Sequence, residues 1–174
     1  VPVEVKGGKG KTTKVTTDEH PREATTLETL SKLGPAFKEG GSVTAGNASG
    51  INDGAAAVII MSEDKAVELG ISPLGKIRAC STVAVDPHLV GIAPVPAIKK
   101  ILDNTGLSLN DIQLFEINEA FASYYISTER ELGLNREITN VNGSGISLGH
   151  PVGCTGCRIL VTLIYEMERQ GLNL

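Results

Sequence analysis

His150 sits in the run Gly149-His150-Pro151-Val152-Gly153, fenced by glycine on one side and proline on the other. Glycine permits close approach of a substrate, and proline fixes the angle at which the next segment leaves. Such flanks present one imidazole at one point, where it can serve as base, acid or hydrogen-bond donor. Some thirty residues earlier stands Asn118-Glu119-Ala120-Phe121-Ala122, and between the two lies Asn140-Val141-Asn142-Gly143. A lone histidine is commonly a surface or satisfied core residue. Here a helix start comes after it, whose free N–H groups favour negative charge, and the pattern argues for presentation.

These residues need elements to hold them. Leu114-Phe115-Glu116-Ile117 reads as a strand with Asn118 at its carboxyl end, followed by a helix through Tyr124, Tyr125 and Leu132. Ile138 to Val141 reads as another strand, leading into the glycine-rich turn that carries His150. The final helix shows Ile159, Leu160, Leu163, Ile164 and Met167 at helical spacing, with Arg158, Thr162 and Glu166 opposite. Upstream, Val58-Ile59-Ile60-Met61 suits a strand buried on both faces. Ser62 starts a helix to Leu69 that Gly70 stops, and Ile77 to Val83 is the next strand. Pro96 fits the first turn of a helix ending at Gly106. Residues 1–50 are less regular: Val1 to Val5 is strand-like, and Leu27, Leu30 and Leu33 mark a short helix ended by Gly34-Pro35. Strands alternating with helices predict an α/β fold, a mixed sheet with packed helices, whose sites gather at strand ends.

Other motifs compete for attention. Cys154-Thr155-Gly156-Cys157 could be a thiol pair or, with His150, part of a zinc site, or two small residues packing a helix start. Zinc would need a fourth ligand, and Cys80 is the only other cysteine. We expect no metal. Lys9-Gly10-Lys11-Thr12 imitates the end of a phosphate loop, but Val5 stands where the first glycine is required; a solvated basic hairpin fits better. Ser144 fails as a nucleophile elbow, because Asn142 occupies the first glycine position.

Composition narrows the function. In 174 residues, 41% are apolar and 21% charged, the formal charge is −4, and no long basic run occurs. A nucleic-acid surface or membrane anchor is disfavoured, and no apolar run reaches the length of a bilayer span. An odd number of cysteines makes no disulfide framework, so a cytoplasmic setting is expected. Aromatic residues, at 3%, are too few for a base-stacking platform. The chain opens at Val1 directly into a strand-like run and stops soon after an amphipathic helix; both ends read as cut from a longer chain.

Thr44-Ala45-Gly46-Asn47-Ala48-Ser49-Gly50-Ile51-Asn52-Asp53-Gly54-Ala55-Ala56, the Asn118 motif, and Asn142-Gly143 through Gly149-His150-Pro151 together resemble the thiolases, in order and spacing. These enzymes make or cleave the carbon–carbon bond of 3-oxoacyl-CoA thioesters. The resemblance implies a thiolase-like fold, incomplete in this chain: residues 1–51 part of a loop domain, 52–72 the end of the N-terminal domain, and 73–174 a C-terminal domain lacking its last strands. It implies that His150 helps ionise a nucleophilic cysteine and donates to the thioester oxygen, and that Asn118 holds a water as second donor. It places Ser49 against the pantetheine arm, with Ala120 and Phe121 lining the slot; Phe121 reads equally well as core packing. Glu119 either orients the Asn118 region or forms an ion pair, and Val90 stands where many thiolases carry Met. The implied partners are acyl-CoA and CoA, as substrates rather than cofactors, and further copies of the chain in a homo-oligomer. Neither family cysteine motif is present, and Cys80, Cys154 and Cys157 match neither. The rival reading is a non-catalytic acyl-CoA-binding fragment or subunit.

Overall fold

The structure is a computed structural model and describes residues 1–174, the side chain of Lys9 apart. The chain forms two compact units, Val1–Leu33 and Gly34–Leu174. In the first, β1 (Val3–Lys6) pairs antiparallel with β2 (Thr12–Val15), Val3 opposite Val15, around a 3₁₀ turn at Gly8–Gly10. This is the hairpin expected from the basic run. Its strands alternate charged or polar with β-branched residues and are exposed throughout. Helix α1 (Leu27–Ser31) comes next, capped by Thr26, whose hydroxyl accepts the Thr29 N–H at 3.1 Å.

The second unit holds the remaining helices. Ser62 caps α2 (Glu63–Glu68) by accepting the Lys65 N–H, and the chain turns left-handed at Gly70. Helix α3 (Pro94–Thr105) has prolines in its first turn, where their missing N–H costs nothing, and ends at Gly106. It packs beside α4 (Ala122–Leu132) and the 3₁₀ turn Pro87–Ile92. Helix α5 (Gly145–Leu148) is a single turn inside the glycine-rich stretch, where no helix was expected. Helix α6 (Thr155–Gln170) closes the unit, with the buried Thr155 and Glu166 on its inner side.

The expected sheet is present only in part. Phe115 and Thr139 form a single parallel bridge, in which the Phe115 N–H donates to Ile138 and the Asn140 N–H to Phe115. Arg136–Ile138 is a 3₁₀ turn, so the second strand shrinks to this bridge. Residues 58–61 and 77–83 form no ladder among the described residues, contrary to expectation. Ile59 is 88% exposed and Ile60 69%, the reverse of a strand buried on both faces. A strand exists only through its neighbours, and within this chain these apolar runs have none to pair with. Few residues of the second unit are buried; Leu114, Ile117, Ser144, Cys154 and Thr155 lie around the candidate site, and Ala66, Val95 and Thr128 lie on α2, α3 and α4.

Candidate active site

Asn118 comes directly after the bridge strand, and its register is imposed from the residue before it. The Ile117 N–H donates to Asn140 Oδ1 at 2.7 Å, and Asn140 Nδ2 donates back to the Ile117 carbonyl at 2.8 Å. The amide of Asn140 thus replaces the neighbouring strand. It reaches there because Asn140 is left-handed, φ 52°, a conformation that asparagine tolerates. The hydroxyl of Ser144, wholly buried, also donates to the Ile117 carbonyl, at 3.0 Å. That commitment accounts for Ser144 without any nucleophilic role. Asn140 Nδ2 lies 3.3 Å from Glu119 Oε1, and Glu119 forms no ion pair among the described residues; it belongs to the scaffold around Asn118. At Gly145 a Cβ would lie 2.9 Å from Asn118 Oδ1 and 2.8 Å from the Glu119 carbonyl, so only glycine lets α5 start this close.

His150 is held from the other side. Its N–H donates to Asn52 Oδ1 at 3.1 Å, and Ile51 forms a parallel bridge with it. The preceding Gly149 has φ 99° and ψ 159°, a region essentially reserved for glycine, and a Cβ there would strike Asn52 at 2.8 Å. Five residues, Ala48 to Asn52, connect both motifs. Ala48 bridges Phe121, the Ser49 N–H and hydroxyl donate to the Ala120 carbonyl at 3.1 and 2.9 Å, and Ile51 and Asn52 take His150. Ser49, Ala120 and Phe121 therefore form one cluster. Phe121 stacks edge-on with Phe37 and Tyr124, at centroid distances of 5.7 and 4.9 Å.

The two candidate side chains meet. Asn118 Nδ2 lies 3.3 Å from His150 Nε2 and 3.4 Å from Nδ1. A donor aligned with one in-plane lone pair would be far from the other nitrogen, so near-equal distances exclude a well-formed bond to either. Asn118 is the one hydrogen-bonding neighbour of Nε2 among the described residues, while Nδ1 is 2.8 Å from Thr155 Oγ1. Asn118 Oδ1 is buried and has no protein partner, and as an acceptor it calls for a donor from water or ligand. Among the described residues no cysteine sulfur is within hydrogen-bond reach of either ring nitrogen.

Beneath the site lies a charged layer. The Glu116 side chain is 2% exposed, with Arg158 Nη1 3.7 Å from Oε2. Burial pushes its carboxyl up to about 7; Arg158 opposes the rise, and Glu119 and Glu166 add to it. Glu166 behaves oppositely. Bonds from Arg169, Asn142 and Gln170 hold it at about 2. Sequence reading missed Asn52, Asn140, Thr155 and Glu116 as site supports. The signal for Asn140 was its place just before a Val-Asn-Gly turn, and Asn52 lay inside a quoted motif.

Cys154 is buried at the mouth of α6 and lines an open cleft of about 340 Å³ with Asn52, Gly54 and Pro151. Cys157 is half-buried and Cys80 exposed. No group of three or more His, Cys, Asp or Glu side chains among the described residues is arranged as a metal site. Among the described residues no helix is long and apolar enough to cross a membrane.

Comparison with known proteins matches this arrangement to one family. Residues 1–64 match the thiolase N-terminal domain and residues 71–174 the thiolase C-terminal domain. The chain belongs to the thiolase family. An acetyl-CoA acetyltransferase of Syntrophomonas wolfei is 55% identical over 173 residues, spanning 98% of this chain and 43% of that protein. The mitochondrial 3-ketoacyl-CoA thiolase of Bos taurus is 52% identical over 170 residues, with 98% and 43% covered. The crystal structure of the Bacillus anthracis acetyl-CoA acetyltransferase superposes with a TM-score of 0.88 at 54% identity, over 99% of this chain and 43% of that one. Human mitochondrial 3-ketoacyl-CoA thiolase in complex with CoA gives 0.82 at 48% identity, over 98% and 42%. The fold is thus an incomplete thiolase fold, and the chain spans less than half the length of the relatives it matches.

Proposed function

We propose that this chain supplies the oxyanion-binding side of an acyl-CoA acetyltransferase that makes or cleaves 3-oxoacyl-CoA by Claisen chemistry. The observation that carries the reading is the meeting of Asn118 and His150 at 3.3 Å. Claisen chemistry passes through an enolate, and donors fixed beforehand stabilise its oxygen without reorganising during the reaction. Nε2–H is the first donor. A water bound by Asn118 is the second. The backbone clamps on Ile117 and His150 supply the rigidity such a pair needs.

Ser49, Ala120 and Phe121 are proposed to receive the pantetheine arm of CoA. Ser49 donates its hydroxyl hydrogen to Ala120, which leaves its oxygen free to accept an amide N–H from the substrate. A solved relative holds CoA, which supports the choice of ligand. The nucleophile is a cysteine outside these residues, no cofactor is required, the setting is cytoplasmic and the assembly is a homo-oligomer.

The test uses full-length protein carrying this segment and follows the loss of 3-oxoacyl-CoA absorbance on thiolysis. His150→Ala and Asn118→Ala are each expected to lower kcat by about 10² to 10³. A His150→Ala protein within twofold of wild type would remove His150 from the mechanism.

A further inference from the structure

The buried surroundings of His150 Nδ1 contain a neutral hydroxyl where many enzymes place a carboxylate. Thr155 is 3% exposed, so no bulk water competes for its side chain. Its Oγ1 lies 2.8 Å from His150 Nδ1 and donates to the Pro151 carbonyl at 3.0 Å. Bonding of a first-turn threonine to the carbonyl four residues back is a recurring local geometry. It aims the hydroxyl hydrogen at a carbonyl that also accepts the Cys154 and Thr155 N–H groups, at 2.7 and 2.8 Å. With that hydrogen on Pro151, Oγ1 has only lone pairs to offer the ring, and Nδ1 must be the protonated nitrogen.

We propose that Thr155 is the positioning residue that fixes the tautomer of His150, holding the proton on Nδ1 so that Nε2 is bare in the resting protein. The inference rests on the reading of His150 as base and donor, and it adds how one ring can do both. When a thiol gives its proton to Nε2, the ring becomes imidazolium, and the Nδ1–H bond to Thr155 stays as it was. Nε2–H then points at the thioester or enolate oxygen as a donor. When Nε2 returns the proton, the ring is back in its resting tautomer with no movement at Nδ1. A carboxylate at this position would favour the imidazolium and hinder that return. A hydroxyl orients the ring and adds no charge. Backbone restraint complements this, because Asn52 and Gly149 fix the His150 peptide while Thr155 fixes the ring.

Thr155→Val preserves the branched shape and removes the hydroxyl; Thr155→Ser removes the methyl and keeps it. Long-range ¹H–¹⁵N correlation in the intact protein reads the tautomer of each ring, with His20 and His88 as internal references. Wild type and Thr155→Ser are expected to show protonated Nδ1 and bare Nε2 at His150, and Thr155→Val to lose that preference. In the full-length enzyme, Val is expected to lower kcat about tenfold or more with KM within about twofold, and Ser to restore it. Should the fold reject Val, Ala and Ser make the same comparison from two smaller side chains. Identical His150 ring shifts with and without the hydroxyl would overturn the proposal. The two readings separate cleanly: an inactive protein whose ring still follows Thr155 sinks the thiolase chemistry alone, and an active one whose ring ignores Thr155 sinks only this assignment.

Discussion

Asn140 grips Ile117 by both of its backbone groups, accepting the N–H at 2.7 Å and donating to the carbonyl at 2.8 Å. A side chain here performs the work of a strand, one residue before the candidate donor Asn118. Two demands meet at position 140: a left-handed backbone, φ 52°, and an amide that both donates and accepts. Substitutions can separate them.

Asn140→Gly keeps the backbone and loses the amide; Asn140→Asp keeps the acceptor but sets a second carboxylate against Glu119 and cannot donate to Ile117. Gly leaves the buried Ile117 N–H unsatisfied, at a cost of about 1–3 kcal/mol, while the carbonyl keeps the Ser144 hydroxyl in both variants and Asp loses one carbonyl bond and gains the repulsion. Both variants should therefore unfold at lower denaturant concentration, with Asp the worse near neutral pH. Denaturant titration at pH 7 and pH 5 checks this. A wild-type midpoint for Asn140→Asp at both values would show that the grip on Ile117 contributes nothing.

Much of this support is illegible in sequence for a physical reason. Helices announce themselves locally: Ser62 caps α2 and Gly106 stops α3 because a cap acts on its own helix. His150 and Asn118 were legible because glycine, proline and strand ends mark presentation. Asn140 and Asn52 bond to backbone 23 and 98 residues away, and nothing in their neighbours records the partner. Strand expectations at 58–61 and 77–83 failed for a related reason. An apolar β-branched run states what it would do between neighbours, and these residues have no neighbouring strand within the chain.

Gly149 combines φ 99° with an Asn52 side chain that would lie 2.8 Å from an added Cβ. Gly149→Ala faces backbone strain of about 1–3 kcal/mol, and its easiest relief is to push Asn52 off the His150 N–H. Stability should fall, and the His150 amide should exchange faster with solvent. Hydrogen exchange at His150 is the measurement. Unchanged protection in a folded Gly149→Ala protein would mean that the Asn52 clamp survives and the site tolerates a side chain.

Glu116 gives the fold a pH dependence of unusual sign. Desolvation raises its carboxyl from 4.5 to about 7 against the pull of Arg158. The native state then binds more protons than the unfolded chain between those values. Stability from this group is full below pH 4.5 and declines as pH rises towards 7, by on the order of 1–3 kcal/mol. Glu166, held at about 2, works the other way: its contribution is full above its unfolded value and is lost as pH falls through 2. The windows do not overlap. Glu116→Gln should flatten the stability profile between pH 4.5 and 7 and leave the acid limb below it in place. Equal slopes for Gln and wild type in that window would show that Glu116 is already ionised there.

These 174 residues alone should neither cleave nor form acetoacetyl-CoA above background. The reason is chemical. Donors at His150 and Asn118 can stabilise an enolate only after a nucleophile has captured the acyl group and a second group has moved the proton. The thiols present are poorly placed for either task. Cys80 is exposed, Cys154 is buried at the start of α6, and neither they nor Cys157 reach a nitrogen of His150, whose contacts are Asn118 and Thr155. A thiol with no base beside it to take its proton is a poorly activated nucleophile. CoA itself should bind weakly through Ser49 and Phe121. The decisive assay mixes purified chain, 3-oxoacyl-CoA and free CoA and follows the loss of substrate absorbance. Turnover that persists after removal of contaminating full-length enzyme, and disappears in both His150→Ala and Cys154→Ala, would make Cys154 the nucleophile and overturn the assignment of that role to a cysteine elsewhere.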